Sequence, residues 1–200
     1  VRSLLRSGLV SQFGENRIQD AERRRAALGR EAANVRWRFI GHLQTNKTRS
    51  ALESFDAIDT LDSLRLAEAL SLRLAPQRLL PILVQVRLTD RESQSGILPG
   101  DLDDFLDGLR GYSNLVCAGL MGIAPLVDPV EKVRPFFREM RELLERHFPG
   151  PAGGASRAIL SMGMSRDFEL AVEEGATLIR IGSALFAPDS QRFTADTPLP

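Results

Sequence analysis

Seven short aliphatic runs, each bounded by Gly, Asp or Ser, alternate with stretches of helical spacing, and this alternation constrains the chain more than any other feature. The runs fall near 10–14, 36–42, 56–60, 82–88, 115–123, 157–162 and 178–182. A parallel strand pair needs a crossover long enough to hold a helix, so strict alternation points to a parallel sheet covered by helices. An open doubly wound sheet and a closed barrel both satisfy it. Seven strands are one short of barrel closure, but the first element, 1–8, reads as a helix. A helix that opens such a series implies a strand before it. The expected fold is therefore α/β, a (β/α)8 TIM-type barrel lacking its first strand, with 1–200 as one domain in an N-terminally shortened form.

The helical stretches carry their own punctuation. In 62–74, Leu64, Ala67 and Leu70 share a face after Asp62, a good N-cap. In 134–148, Val133, Phe137, Met140 and Leu144 form one stripe, and Pro135 is tolerated if the helix begins there. In 165–175, Ser165 can cap, Phe168, Ala171 and Val172 face inward, and Gly175 closes the helix. Weaker helical patterns cover 1–8, 17–29, 44–54 and 101–110, and "PGPAGGAS" at 149–156 reads as a loop.

Composition removes several function classes. The 26 basic and 26 acidic residues cancel, which argues against a nucleic-acid-binding field. No apolar run reaches the length of a membrane span, and the N-terminal stretch has no secretory signal pattern. The single cysteine, Cys117, excludes an internal disulfide, favours a reducing compartment and reads as a small buried hydrophobe. With only His42 and His147 beside it, metal sites and Cys/His nucleophilic chemistry are poorly supported. Lys47 and Lys132 are the only lysines among the 26 basic residues.

Polar and small residues gather where strands end. Ligands of such barrels sit at the C-terminal ends of the strands, with phosphates in the loops after the last two. "SMGMS" (161–165) and "RIGSA" (180–184) are those loops, the first leading into a helix start that attracts anions, the second offering Gly182 for close approach and Ser183 as a hydroxyl donor. Tight turns alone would also select small residues. Arg180 shifts the balance: Leu178, Arg180 and Gly182 share one strand face, and a charge inside a barrel requires a partner, either a ligand or a buried carboxylate. "FGENRIQD" (13–20) and "WRFIGHLQTNKTR" (37–49) repeat the theme, with Gly14, Glu15, Asn16, Gly41, His42 and Gln44 at strand ends.

These segments, in order with "AIDTLDSLRLAEAL" (57–70), "ESQSGI" (92–97), "GLMGIAP" (119–125) and "LSMGMSRDFELAVEEGATLIRIGSALF" (160–186), resemble the YggS-type pyridoxal 5′-phosphate homeostasis proteins, related in fold to the N-terminal barrel of alanine racemase. The resemblance implies a barrel that holds pyridoxal phosphate (PLP), without established turnover, serving vitamin B6 balance in the cytoplasm as a monomer when full-length. It implies that Ser161, Met162, Gly182 and Ser183 surround the phosphate, that Asn16 lies beside the cofactor and that Arg180 faces the pyridine nitrogen. An always-charged arginine there keeps the nitrogen unprotonated and the ring a weak electron sink, which suits a carrier. The family's Schiff-base lysine, at the end of its first strand, would precede Val1, so no catalytic residue is assigned. Gln94 stands where the family often has lysine, Arg87 replaces a common asparagine, and Arg17 and Arg38 replace aromatic or histidine choices. Two other readings remain open: an amino-acid racemase, for which Tyr112 is the only tyrosine, and a cofactor-free interaction module.

Overall fold

The computed structural model describes residues 1–89, 94–150 and 158–186. Its strands are β1 (Gln12–Glu15), β2 (Arg36–Phe39), β3 (Ala57–Leu61), β4 (Leu80–Val86), β5 (Leu115–Gly122), β6 (Ile159–Met164) and β7 (Leu178–Arg180). The helices are α1 (Arg2–Arg6), α2 (Ile18–Leu28), α3 (Thr48–Ser54), α4 (Leu64–Ser71), α5 (Leu102–Leu109), α6 (Arg134–His147), α7 (Phe168–Glu173) and α8 (Ser183–Phe186). All seven strands are parallel and lie side by side in chain order. Each expected strand is present, most of them shifted by one or two residues. Among the described residues no ladder joins β7 to β1, so the two form the ends of an almost closed sheet. Most of the loop expected at 149–156 lies outside the described residues, as do Glu92 and Ser93 of "ESQSGI".

Alternation along the strands sorts side chains into two interiors. One is the apolar layer between strands and helices. It takes Trp37, Phe39, Leu120, Leu160 and Met162 from the strands, and Leu66, Leu70, Leu102, Phe105, Phe137, Met140 and Leu144 from the helices. Trp37 shows the outward direction: its indole N–H reaches the Ala32 carbonyl at 3.4 Å, and the Arg25 guanidinium of α2 sits 5.5 Å above its ring. Burying each such side chain stabilises the fold by about 1.5–3 kcal/mol. The other interior lies inside the barrel. Ala57, Leu83 and Met121 are fully buried yet stand outside the continuous apolar layer, and beside them the strands place Arg38, Asp59 and Ser161, all buried.

Two helix starts differ from expectation. The N-cap of α4 is Ser63, whose Oγ accepts the Leu66 N–H at 3.3 Å; Asp62 is turned toward His42 instead. α7 begins three residues after Ser165, and its N-cap Asp167 accepts the Met164 N–H at 2.6 Å. Pro135 does sit in the first turn of α6. α6 is tied to α7 by Glu174, a buried carboxylate receiving Arg134 and Arg138 at 3.2 Å and Arg141 at 3.3 Å.

Candidate functional site: the barrel mouth

β6 and β7 bring the two phosphate-type loops together. Arg180 points inward from the end of β7, donating to Ser161 Oγ on β6 at 2.8 Å and to the Gly122 carbonyl at the end of β5 at 2.9 Å. Both acceptors are neutral, and among the described residues Arg180 makes no ion pair. Burial lowers its proton affinity, while Asp59 and Asp167 pull in the other direction. A half-buried guanidinium held only by neutral oxygens favours a negative or electron-rich partner.

Beside it, the chain turns from β7 into α8. The N–H groups of Gly182 and Ala184 converge on Ser165 Oγ, each at 3.2 Å. They aim two donors at one point, and a single hydroxyl fills it. Gly182 and Ser183 are exposed, and a Cβ built on Gly182 would meet nothing within 4 Å. In the loop before α7 the Met164 N–H, at the end of β6, is already taken by the Asp167 carboxylate. The donor cup is thus built at α8.

Of the residues expected around a phosphate, Ser161 lies beneath the cup as a partner of Arg180, and Gly182 and Ser183 form its rim. The Met162 side chain packs in the helix-facing apolar layer, leaving only its backbone on the strand. Asn16 stands in a cleft of about 400 Å³ with His42, Gln85, Gln94 and Ser95, and Ser161, Arg180, Gly182 and Ser183 are not part of its lining. Gly41 makes this possible: a Cβ there would lie 2.1 Å from the Asn16 carbonyl oxygen. The loop after β4 is tethered over the cleft, with Gln85 Nε2 donating to the Ser95 carbonyl at 2.9 Å and Gln94 Nε2 to the Ile123 carbonyl at 3.0 Å. His42 Nδ1 lies 3.1 Å from Ser95 Oγ and 3.5 Å from Asp62, whose carboxyl is pushed up by burial.

Sequence reasoning missed the pair beneath these groups. Arg38 holds Asp59 through two hydrogen bonds, Nε to Oδ2 and Nη2 to Oδ1, both 2.7 Å, and its Nη1 donates to Gln12 at 3.2 Å. Burial pushes the Asp59 carboxyl up, and Arg38 draws it back down. The alternation that marked Arg180 marks these two as well, since each is a charge on the inward face of a strand.

Other chemistry is set aside. Burial raises the Cys117 thiol to about 11, far from a reactive thiolate. Among the described residues no group of His, Cys, Asp and Glu could hold a metal, and no helix is long and apolar enough to cross a membrane. Tyr112 precedes β5, at the opposite end of the barrel from the mouth.

A parallel α/β barrel with an inward arginine at the end of its last strand defines a class, and residues 1–189 match the family described as alanine racemase, N-terminal domain. Within that class the chain belongs to the pyridoxal phosphate homeostasis proteins. It is 36% identical over 190 residues to the pyridoxal phosphate homeostasis protein of Aquifex aeolicus, covering 93% of this chain and 80% of that one. The structure of PipY from Synechococcus elongatus with PLP bound superposes with a TM-score of 0.75 at 38% identity, covering 88% of this chain and 81% of PipY. Alanine racemase of Clostridium difficile, at 14% identity and a TM-score of 0.71, shares the fold, this chain spanning 50% of it.

Proposed function

We propose that this chain binds pyridoxal 5′-phosphate at the barrel mouth and serves its balance in the cytoplasm as a carrier, without catalytic turnover of its own. The observation that carries the reading is Arg180, half-buried at the end of β7 with only neutral acceptors and lying next to the two converging N–H groups of the Gly182 turn. The donor set suits the group. Gly182 and Ser183 supply N–H and hydroxyl donors for a phosphate, with Ser165 free to rotate from acceptor to donor. Ser161 orients Arg180 toward the ring nitrogen, and Asn16, from the neighbouring cleft, lies beside the cofactor.

Bound pyridoxal phosphate supplies an aldehyde that captures amines and a ring that delocalises charge. The residues here restrain that chemistry. Arg180 remains a cation and donates to the heterocycle, so it supplies no proton to strengthen the electron sink. Neither Lys47 nor Lys132 lines the cleft; Lys132 Nζ donates to the Asp128 carbonyl at 3.0 Å. The residues named here hold the cofactor by hydrogen bonds and charge. A racemase needs an acid or base on each face of the ring, and Tyr112 lies at the wrong end of the barrel to supply one.

Equilibrium dialysis against pyridoxal phosphate and pyridoxal tests the reading. Saturable binding of the phosphorylated form, much tighter than that of pyridoxal, supports it. Turnover of alanine enantiomers, or no binding of either vitamer, overturns it.

A further inference from the structure

Arg38 and Arg180 both reach into the barrel interior beside the fully buried Asp59 carboxylate, and that carboxylate is committed to Arg38. Arg38 and Asp59 are 5% and 0% exposed at the side chain, and both Asp59 oxygens are occupied by Arg38 at 2.7 Å. Gln12 fixes the plane of the Arg38 guanidinium by accepting from Nη1 at 3.2 Å. Arg180 enters the same interior from β7 and bonds Ser161 and Gly122. Asp59 and Arg180 face this space with opposite charges. Around a fully buried carboxylate, an oxygen left free takes a guanidinium within reach.

We propose that Arg38 is a positioning residue for Arg180: by occupying both oxygens of Asp59 it keeps that carboxylate from pairing with Arg180, and so leaves the Arg180 guanidinium available to ligand. The inference rests on the pyridoxal phosphate reading for its ligand, and on the free protein for its geometry. Arg38 touches neither the cup nor the cleft, so it acts through Asp59 alone.

Three variants separate this role from a structural one. Arg38→Lys keeps the charge but cannot span both oxygens. It should weaken pyridoxal phosphate binding by about threefold to tenfold, the range of coupling within one charged network. Arg38→Leu should weaken it further where the protein folds, although a stranded buried carboxylate threatens folding itself. Arg38→Leu/Asp59→Leu removes both partners and should restore affinity to within about threefold of the parent, a rescue that lost packing would not produce. In a crystal structure of the ligand-free Arg38→Lys protein, an Asp59 oxygen should lie within hydrogen-bond distance of an Arg180 Nη. Unchanged affinity in Arg38→Lys, a double variant as weak as the single, or an Arg180 still bonded only to Ser161 and Gly122 would overturn the proposal. Absence of binding by the parent protein refutes the functional reading instead, and the ligand-free structure then decides this one alone.

Discussion

Arg180 reaches across from β7 to donate to Ser161 Oγ at 2.8 Å, joining the last two described strands at the level where their loops open. The hydroxyl both anchors the guanidinium and sets its angle. Replacing Ser161 by Ala removes a neutral acceptor worth about 1 kcal/mol. Affinity for pyridoxal phosphate should fall by about fivefold. Pyridoxal should weaken by the same factor, because the contact serves the ring and not the phosphate. Parallel dialysis of the two vitamers measures this.

Gly182 gives the complementary result. A Cβ at this position meets nothing within 4 Å, so Gly182→Ala should fold with a stability within about 0.5 kcal/mol of the parent. The methyl group stands in the way of a phosphate approaching the backbone. Binding of pyridoxal phosphate should drop while that of pyridoxal holds, and equal losses for both would count against the cup.

Much of this was legible from strand alternation and loop composition. The seven strands, the inward Arg180 and the small-residue turns follow from period-two patterning and from the cost of burying a charge. Tertiary competition for the same side chains was not legible. Ser165 looked like a helix cap but is recruited by the Gly182 turn 17 residues later, and Asp167 takes the N-cap position while its carboxylate turns back to the Met164 N–H. Asp62 looked like the cap of α4, yet Ser63 does it while Asp62 faces His42. Met162 sits within the phosphate motif but faces the helices, because alternation sets it opposite the inward Ser161; beyond Ser161 the register between β6 and β7 shifts before Met164. The Arg38–Asp59 pair was within reach of the same reasoning that found Arg180, since both charges lie on inward strand faces.

That register shift depends on Gly163. Its φ is +88°, and a Cβ would lie 2.5 Å from the Ala171 Cβ and 3.1 Å from the Phe168 Cα. Gly163→Ala adds backbone strain to overpacking, and about 2–3 kcal/mol should be lost. Thermal denaturation should show Tm lowered by roughly 5–10 °C.

Glu174 predicts the acid limb of stability. The hydrogen bond from Arg138, followed by that from Arg134, holds its carboxyl below the usual carboxylate range. A carboxylate depressed in the folded state contributes stability that is full above its unfolded pKa and is lost as pH falls through the folded one. Urea midpoints measured from about pH 6 to about pH 3 should fall, and Glu174→Gln should flatten that part of the profile. An unchanged slope in the variant would remove Glu174 from the acid response.

The central claim is a place and an orientation, so a crystal structure of the protein soaked with pyridoxal phosphate tests it most directly. The account predicts the phosphate within hydrogen-bond distance of the Gly182 turn and Ser183, with the ring nitrogen facing the Arg180 guanidinium. Cofactor found elsewhere on the barrel, or seated at the mouth with its ring nitrogen turned away from Arg180, would contradict it.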